Sequence, residues 1–302
     1  MPTISGLKQV QERARTTVTL VRAAINAEET MRRLRSTLKP RRANAEREAM
    51  SKRAVILAGG KGSRLGPYTT VLPKPLLPVG DRAILSVVVH QLRELGFTDL
   101  TLAVGYLAHL VRAVMGDGSD LGVNIGYADE REPLGTVGPL ARIENLDHSF
   151  IVMNGDILTS LDYADLIDLH RESGNVLTIA SHRRTVRSDY GVLHLDGEAG
   201  KTRLVTGFEE KPETHHVVSM GVYAMEPRAL DYIDRDAHLD FPELVLRLVE
   251  AGERVGSYLF DGYWLDIGRH EDYERAIAEF GELKPMLMRE NSPALANGST
   301  SR

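Results

Sequence analysis

The 302-residue chain contains no cysteine. Disulfide scaffolds, thiolate-ligated zinc, iron–sulfur clusters and cysteine nucleophiles are therefore excluded, and a reducing compartment such as the cytoplasm is expected. No stretch approaches the roughly 20 apolar residues of a membrane span, and the polar N-terminus lacks the apolar centre of a secretory signal. Aromatic residues make up only 6% of the chain, with a single tryptophan, so any core must be built mainly from aliphatic side chains. Several catalytic signatures are also missing. The chain has no His-Glu-x-x-His pair and no Gly-x-Ser-x-Gly elbow, and its glycine-rich segment at 59–66 lacks the Gly-Lys-Ser/Thr ending of a P-loop. A dinucleotide fingerprint started at Gly60 and Gly62 fails because its third glycine position is Leu65.

Charge is present but unevenly placed. The net charge is -5, yet residues 1–50 hold eleven Lys/Arg against five Glu, so a basic segment precedes an acidic body. Glu12, Glu28, Glu29, Glu46 and Glu48 interrupt its positive charges. That pattern fits a solvated helix better than a nucleic-acid or lipid-binding arm. Within it Val18, Val21, Ala24, Ile25, Met31, Leu34 and Leu38 recur at helical steps and form a narrow stripe that would pack on the body or on a second subunit. Three regions are expected: a basic helical extension over 1–51, a main domain over 52–285, and a disordered tail over 286–302. Met50 is a candidate start.

Inside the main domain short apolar runs alternate with amphipathic segments. Strands are expected at Arg53–Ala58, Leu100–Val104, Val123–Tyr127 and Phe150–Met153, with helices at Ala83–Leu95, Leu107–Met115 and Asp162–Glu172. This is an α/β pattern, implying a mostly parallel sheet flanked by helices with its chemistry at the carboxyl ends of the strands. From Val176 onward the pattern becomes strand-rich and suggests a mixed sheet walling one side of a cleft. A final helix is expected over His270–Leu283.

The first expected strand runs into Leu57-Ala58-Gly59-Gly60-Lys61-Gly62-Ser63-Arg64-Leu65. Glycines there allow backbone amides to approach an anion, and Arg64 adds a planar cationic fork suited to phosphate oxygens, although a ligand-free tight turn would read the same way. Nearby, Lys74 stands between Pro73 and Pro75, which should hold it on a stiff extended segment and aim its ammonium. His215 and His216, adjacent on an expected strand, point to opposite faces and make a poor metal pair.

Taken together, Ala58-Gly59-Gly60-Lys61-Gly62-Ser63-Arg64-Leu65 and Leu72-Pro73-Lys74-Pro75 resemble the signature of the sugar-phosphate nucleotidylyltransferases over about residues 52–280. The run Glu130-Arg131-Glu132-Pro133-Leu134-Gly135-Thr136 is similar to the base-recognition loop of the mannose-1-phosphate guanylyltransferases. The resemblance implies a Rossmann-like nucleotidyltransferase fold and a reaction in which a nucleoside triphosphate and a sugar 1-phosphate give a nucleotide sugar and pyrophosphate. It implies roles as well: Arg64 and Lys74 in catalysis, and Leu57, Gly59, Gly60, Gly62, Glu130 and Gly135 around the nucleotide. Asn154, Gly191, Glu210, Lys211 and Ser219 would surround the sugar phosphate, while Asp156 and Asp266 would hold Mg²⁺. Glu130 stands where thymidylyltransferases tend to have Gln. A carboxylate accepts both adjacent donors of guanine but opposes the carbonyls of thymine or uracil, so GTP is the expected donor. Mannose- or heptose-type phosphates are the expected acceptors. Thymidylyl, adenylyl or cytidylyl transfer to glucose 1-phosphate stays open, as does a non-catalytic regulatory subunit. Small-molecule substrates and self-association, the latter through the extension, are the expected partnerships.

Overall fold

The computed structural model describes residues 52–130, 132–197 and 203–289. The expected N-terminal helix, its proposed packing and the tail beyond 289 lie outside the described residues.

The first element of the described residues is β1 (Lys52–Ala58), followed by the short hairpin β2 (Pro78–Val79) and β3 (Arg82–Ala83). Helix α1 (Ile84–Glu94) and strand β4 (Phe97–Val104) come next, then α2 (Ala108–Met115) and β5 (Asn124–Asp129). Strands β6 (Phe150–Asn154) and β7 (Ile157–Thr159) precede α3 (Tyr163–Ser173). The later half contains β8 (Leu177–Arg187), β9 (Val192–Leu195), β10 (Val205–Glu209) and β11 (Glu213–Met225). Helix α4 (Phe241–Glu250), β12 (Val255–Phe260), β13 (Trp264–Asp266) and α5 (His270–Leu287) complete it.

Seven strands form one twisted sheet in the order β12-β8-β11-β6-β1-β4-β5. All run parallel except β11, which is antiparallel to both β6 and β8. In the strand-rich later half β8, β11 and β12 extend the central sheet instead of forming a wall of their own, while β9 and β10 make a separate two-stranded ribbon and β13 pairs with β7.

Period-two alternation explains why both faces of the sheet are covered. In β1, Ala54 and Ile56 join the cluster containing Leu85, Val88 and Leu92 of α1, whereas Val55 faces the opposite cluster with Leu244 and Leu248 of α4. Helix α1 buries Ile84, Leu85, Val87, Val88, Val89 and Leu92. It stops at Leu95-Gly96, where Gly96 takes φ 85°. Helix α3 starts where Asp162 accepts the amides of Ala164 and Asp165 at 2.9 and 3.2 Å. Helix α5 runs past the expected boundary at 285: Leu287 and Met288 are buried in a third cluster with Phe280 and Ile84, so the folded body reaches Arg289.

For function the decisive feature is strand order. From β1 the chain steps to β4 and β5 on one side, and β6 lies on the other side of β1. Loops leaving β1 and β6 thus diverge at their carboxyl ends and open a crevice there.

Candidate active site

The crevice is a cavity of about 890 Å³. Leu57, Gly59, Gly60, Gly62, Arg64, Lys74, Glu130, Gly135, Asn154 and Asp156 all line it, although they come from four separate stretches of chain. Its floor is stitched by backbone bonds between neighbouring strand ends. The Gly155 N–H donates to Leu57 O at 2.9 Å, the Tyr106 N–H to Gly59 O at 3.0 Å, and the Glu130 N–H to Val104 O at 2.8 Å.

The glycine-rich turn is held by its own chemistry. Gly62 adopts φ 60°, a region costly for residues with a Cβ, and caps a single 3₁₀ turn over Ser63–Leu65 whose Leu65 is fully buried. A side chain at Gly62 would also press on the aliphatic stem of Lys74 and the methyl of Thr69. At Gly59 the Glu130 carboxylate lies where a Cβ would stand, so a side chain there would push that carboxylate aside.

Lys74 differs from the sequence expectation. The extended conformation stops at Pro73, and Lys74 begins a 3₁₀ turn over Lys74–Leu76. Pro75 favours this bend, which is closed by Leu76 N–H to Pro73 O at 2.8 Å and Leu77 N–H to Lys74 O at 3.0 Å. The turn is buried, so the ammonium is aimed even more firmly than by an extended segment, and it forms an ion pair with Asp156.

Asp156 follows β6, and Asp266 ends β13. Pairing of β13 with β7 places Asp266 opposite Ile157, and the Ile267 N–H donates to Asp156 O at 3.2 Å. Burial, and then the negative charge of Asp156, push the Asp266 carboxyl above the usual carboxylate range. The Asp156 Oδ1 is buried and has no hydrogen-bond partner. Two converging carboxylates, one with an idle buried oxygen, are a donor set suited to a hard divalent cation. Among the described residues no group of three or more His, Cys, Asp or Glu could hold a metal. Arg64 makes no ion pair among the described residues. Its guanidinium and the Asp266 carboxylate both lie within 4 Å of the point where a side chain on Gly268 would begin.

The residues expected around a sugar phosphate are more dispersed. Asn154 packs its amide against Gly221. Ser219 sits at the bulge in β11, accepting the Gly221 N–H at 3.2 Å and donating to Tyr223 OH at 3.1 Å, so its hydroxyl is already engaged in shaping the strand. Gly191 lies beside the Glu210 carboxylate and the Phe208 ring on the two-stranded ribbon. Lys211 takes φ 49° in the turn between β10 and β11 and is exposed. Gly191, Glu210, Lys211, Ser219 and Asp266 do not line the cavity itself, whereas Asn154 does.

Some cavity residues had no signal in the sequence. Gly105 and Tyr106 could have been found from their place after β4, but His238 and Asp240 belong to an irregular segment on the opposite wall. Asp240 Oδ1 accepts the Thr136 N–H at 2.9 Å and hydroxyl at 3.1 Å, while the Phe241 N–H at the start of α4 donates to Thr136 Oγ1 at 3.0 Å. This exchange latches the Gly135 loop to α4. Asp240→Ala is expected to raise the KM for nucleotide about tenfold at nearly constant kcat, the usual magnitude for a lost hydrogen bond of this type. Steady-state kinetics check it; an unchanged KM would leave the latch without a role in binding.

The histidine pair behaves as expected. His215 and His216 are exposed on β11 and bond separately to Thr185 at 3.0 Å and Thr214 at 3.1 Å. His170, in the core, meets Thr178 Oγ1 at 2.8 Å and lies 3.2 Å from Glu226. Trp264 supports β13 by donating to Met220 O at 3.1 Å.

Residues 53–282 match the protein family described as nucleotidyl transferase. The chain belongs to the nucleotidyl transferase family. It is similar to UTP–glucose-1-phosphate uridylyltransferase of Synechocystis, with 33% identity over 245 residues covering 74% of this chain and 62% of that protein. Mannose-1-phosphate guanyltransferase of Schizosaccharomyces pombe is 35% identical over 233 residues, covering 73% of this chain and 62% of the relative. The chain thus spans 62% of the length of these two relatives. Its fold is that of HddC from Yersinia pseudotuberculosis, solved with GMP-PN, at a TM-score of 0.58 and 26% identity over 76% of this chain and 99% of the other. Among the described residues no helix is long and apolar enough to cross a membrane.

Proposed function

We propose that this nucleotidyl transferase moves a nucleotidyl group, GMP from GTP in preference, to a sugar 1-phosphate of the mannose or heptose type. The observation that carries the reading is the convergence, at one strand crevice, of a glycine-rich turn, the aimed Lys74 beside Asp156 and Asp266, and the half-buried Glu130.

In the proposed reaction an oxygen of the sugar phosphate attacks the α-phosphorus of the triphosphate. One P–O bond forms, the bond from the α-phosphorus to the oxygen bridging the β-phosphate breaks, and its electron pair leaves on pyrophosphate. A sugar phosphate is already an anion at neutral pH, so no general base is required. What remains is to bring two anions together in line and to neutralise the charge that moves onto the leaving group. Amides of Gly59, Gly60 and Gly62 cradle the nucleotide beside Leu57, Lys74 meets the α-phosphate, and Arg64 receives the departing pyrophosphate. Lys211 holds the sugar phosphate, and Glu210, with Asn154, Gly191 and Ser219, borders the sugar. A divalent cation such as Mg²⁺, held by Asp156 and Asp266, would neutralise phosphate charge.

Glu130 selects the base. Its carboxylate accepts the ring N–H and exocyclic amine of guanine, with Gly135 beneath the same loop. The direct test is pyrophosphate release with Mg²⁺ across GTP, ATP, CTP, UTP and dTTP, each with mannose, glucose and heptose 1-phosphates. Release confined to GTP is expected; preference for a pyrimidine nucleotide would overturn the guanine assignment and leave nucleotidyl transfer standing.

Glu130→Gln is expected to lower kcat/KM for GTP by about tenfold to a hundredfold and to improve UTP relative to GTP, because an amide offers one acceptor and one donor. A pH signature accompanies it. Burial pushes the Glu130 carboxyl up, against a smaller opposing effect of the Leu134 amide, and the protonated form cannot accept both guanine donors. GTP utilisation should therefore fall with decreasing pH at values above the ordinary glutamate range, and this component should vanish in Glu130→Gln. Superimposable pH profiles would remove Glu130 from base recognition.

A further inference from the structure

The wall facing the Gly135 loop carries an imidazole with nothing to hold. His238 lines the cavity, is exposed to it, and makes no hydrogen bond or ion pair among the described residues. Its backbone, by contrast, is tightly fixed. The Leu239 N–H donates to Leu134 O at 2.9 Å, and the amides of Val137 and Gly138 both donate to Leu239 O, at 2.9 and 3.3 Å. Leu239 is 1% exposed and anchors the segment in the core, which sends its neighbour His238 the other way, into the cavity. Asp240 on the far side is locked to Thr136. The histidine thus sits on a rigid strip of backbone bonded directly to the loop that runs from Glu130.

We propose that His238 is a specificity-determining residue that donates a ring N–H to N7 of the purine base. The proposal rests on the guanylyl reading above. Guanine presents donors at N1 and N2 and acceptors at O6 and N7 in sequence around one edge. A carboxylate satisfies the donor end but repels an acceptor, so it cannot serve the N7 end. An imidazole N–H supplies what is missing. The two residues then divide the discrimination: His238 rejects pyrimidines, which have no N7, and Glu130 rejects adenine, whose N1 is an acceptor and whose exocyclic amine replaces O6.

The probe is 7-deaza-GTP, which keeps every other group of GTP and replaces N7 by C–H. Pyrophosphate release is measured with GTP and 7-deaza-GTP for the full chain, for His238→Ala and for His238→Gln, with the acceptor sugar phosphate that works best. The unaltered chain should use 7-deaza-GTP about tenfold less efficiently than GTP, through KM more than kcat, as expected for one hydrogen bond. His238→Ala should lose about tenfold on GTP and treat the two nucleotides alike within about twofold, while His238→Gln, which keeps an N–H, should restore part of the preference. Equal use of both nucleotides by the unaltered chain, or undiminished discrimination in His238→Ala, would overturn the proposal while GTP turnover kept the guanylyl reading intact. Failure of the unaltered chain on GTP, with another nucleotide working, would overturn both and is seen before any variant is made.

Discussion

Lys74→Ala should lower kcat/KM for the proposed transfer by about a hundredfold to a thousandfold, the range found when one preorganised charge-stabilising donor is removed. The size follows from how the ammonium is held. Its turn is closed by two backbone hydrogen bonds, Pro73 and Pro75 stand on either side of Lys74 in sequence, its stem packs against Gly62, and among the described residues its only ion pair is with Asp156. A cation fixed in this way loses little on meeting a phosphate, whereas a solvated lysine would first have to be ordered. Lys61 provides the internal comparison, since it lines the same cavity but is exposed. Lys61→Ala should therefore cost only a few-fold. Removing Lys74 also leaves Asp156 without its counter-charge, so a destabilisation of about 1–3 kcal/mol is expected with the circular dichroism spectrum unchanged. Equal kcat/KM for Lys74→Ala and the unaltered chain would take this lysine out of the mechanism.

Asp266→Asn should reduce turnover by about a hundredfold or more, because it removes one of the two carboxylates suited to the divalent cation. Chelation with EDTA should abolish turnover of the unaltered chain. Stability should move the other way. The Asp266 carboxyl is held above its ordinary range by burial and by Asp156, which means the folded protein binds that proton more tightly than the unfolded chain does. Its ionisation thus opposes folding above the raised value, and the penalty is relieved as pH falls through it. Without metal at neutral pH, Asp266→Asn should melt at or above the temperature of the unaltered chain. Added Mg²⁺ should raise the midpoint of the unaltered chain by binding its folded form, and should do little for the variant. Asp156→Asn should behave differently, losing activity and stability together because Lys74 then lacks its partner. An Mg²⁺-induced shift that survives in both variants would place the cation elsewhere.

Much of the fold is written locally. The apolar run at 54–58 ending in glycines fits a strand buried on both faces, and the helical spacing of Leu85, Val88 and Leu92 leads to α1 with Gly96 as its stop. The glycine turn and Lys74 stand out by residue type and proline frame, whereas Glu130 and Asp156 are marked by the resemblance of their segments to the family's motifs. Lys74 shows the limit of such reading: proline restricts the backbone, but the 3₁₀ turn depends on Leu76 and Leu77 finding carbonyl acceptors and a buried place.

Sequence alone determined the alternation of strand and helix, the anion-suited turn, and the identity of the charged groups, because these rest on side-chain type and on bonds between near neighbours. Tertiary structure alone decided which distant groups meet. Asp266 reaches Asp156 only because the three-residue β13 pairs with β7, a contact too short to leave any periodicity. Likewise, His238 and Asp240 enter the site through backbone bonds from Leu239 to Leu134 and Val137 and the Asp240 carboxylate's bond to the Thr136 N–H, across about a hundred residues of chain, in a segment with no regular pattern. Strand order then places the crevice between β1 and β6, since long-range pairing is selected by burial of the whole sheet and not by any single stretch.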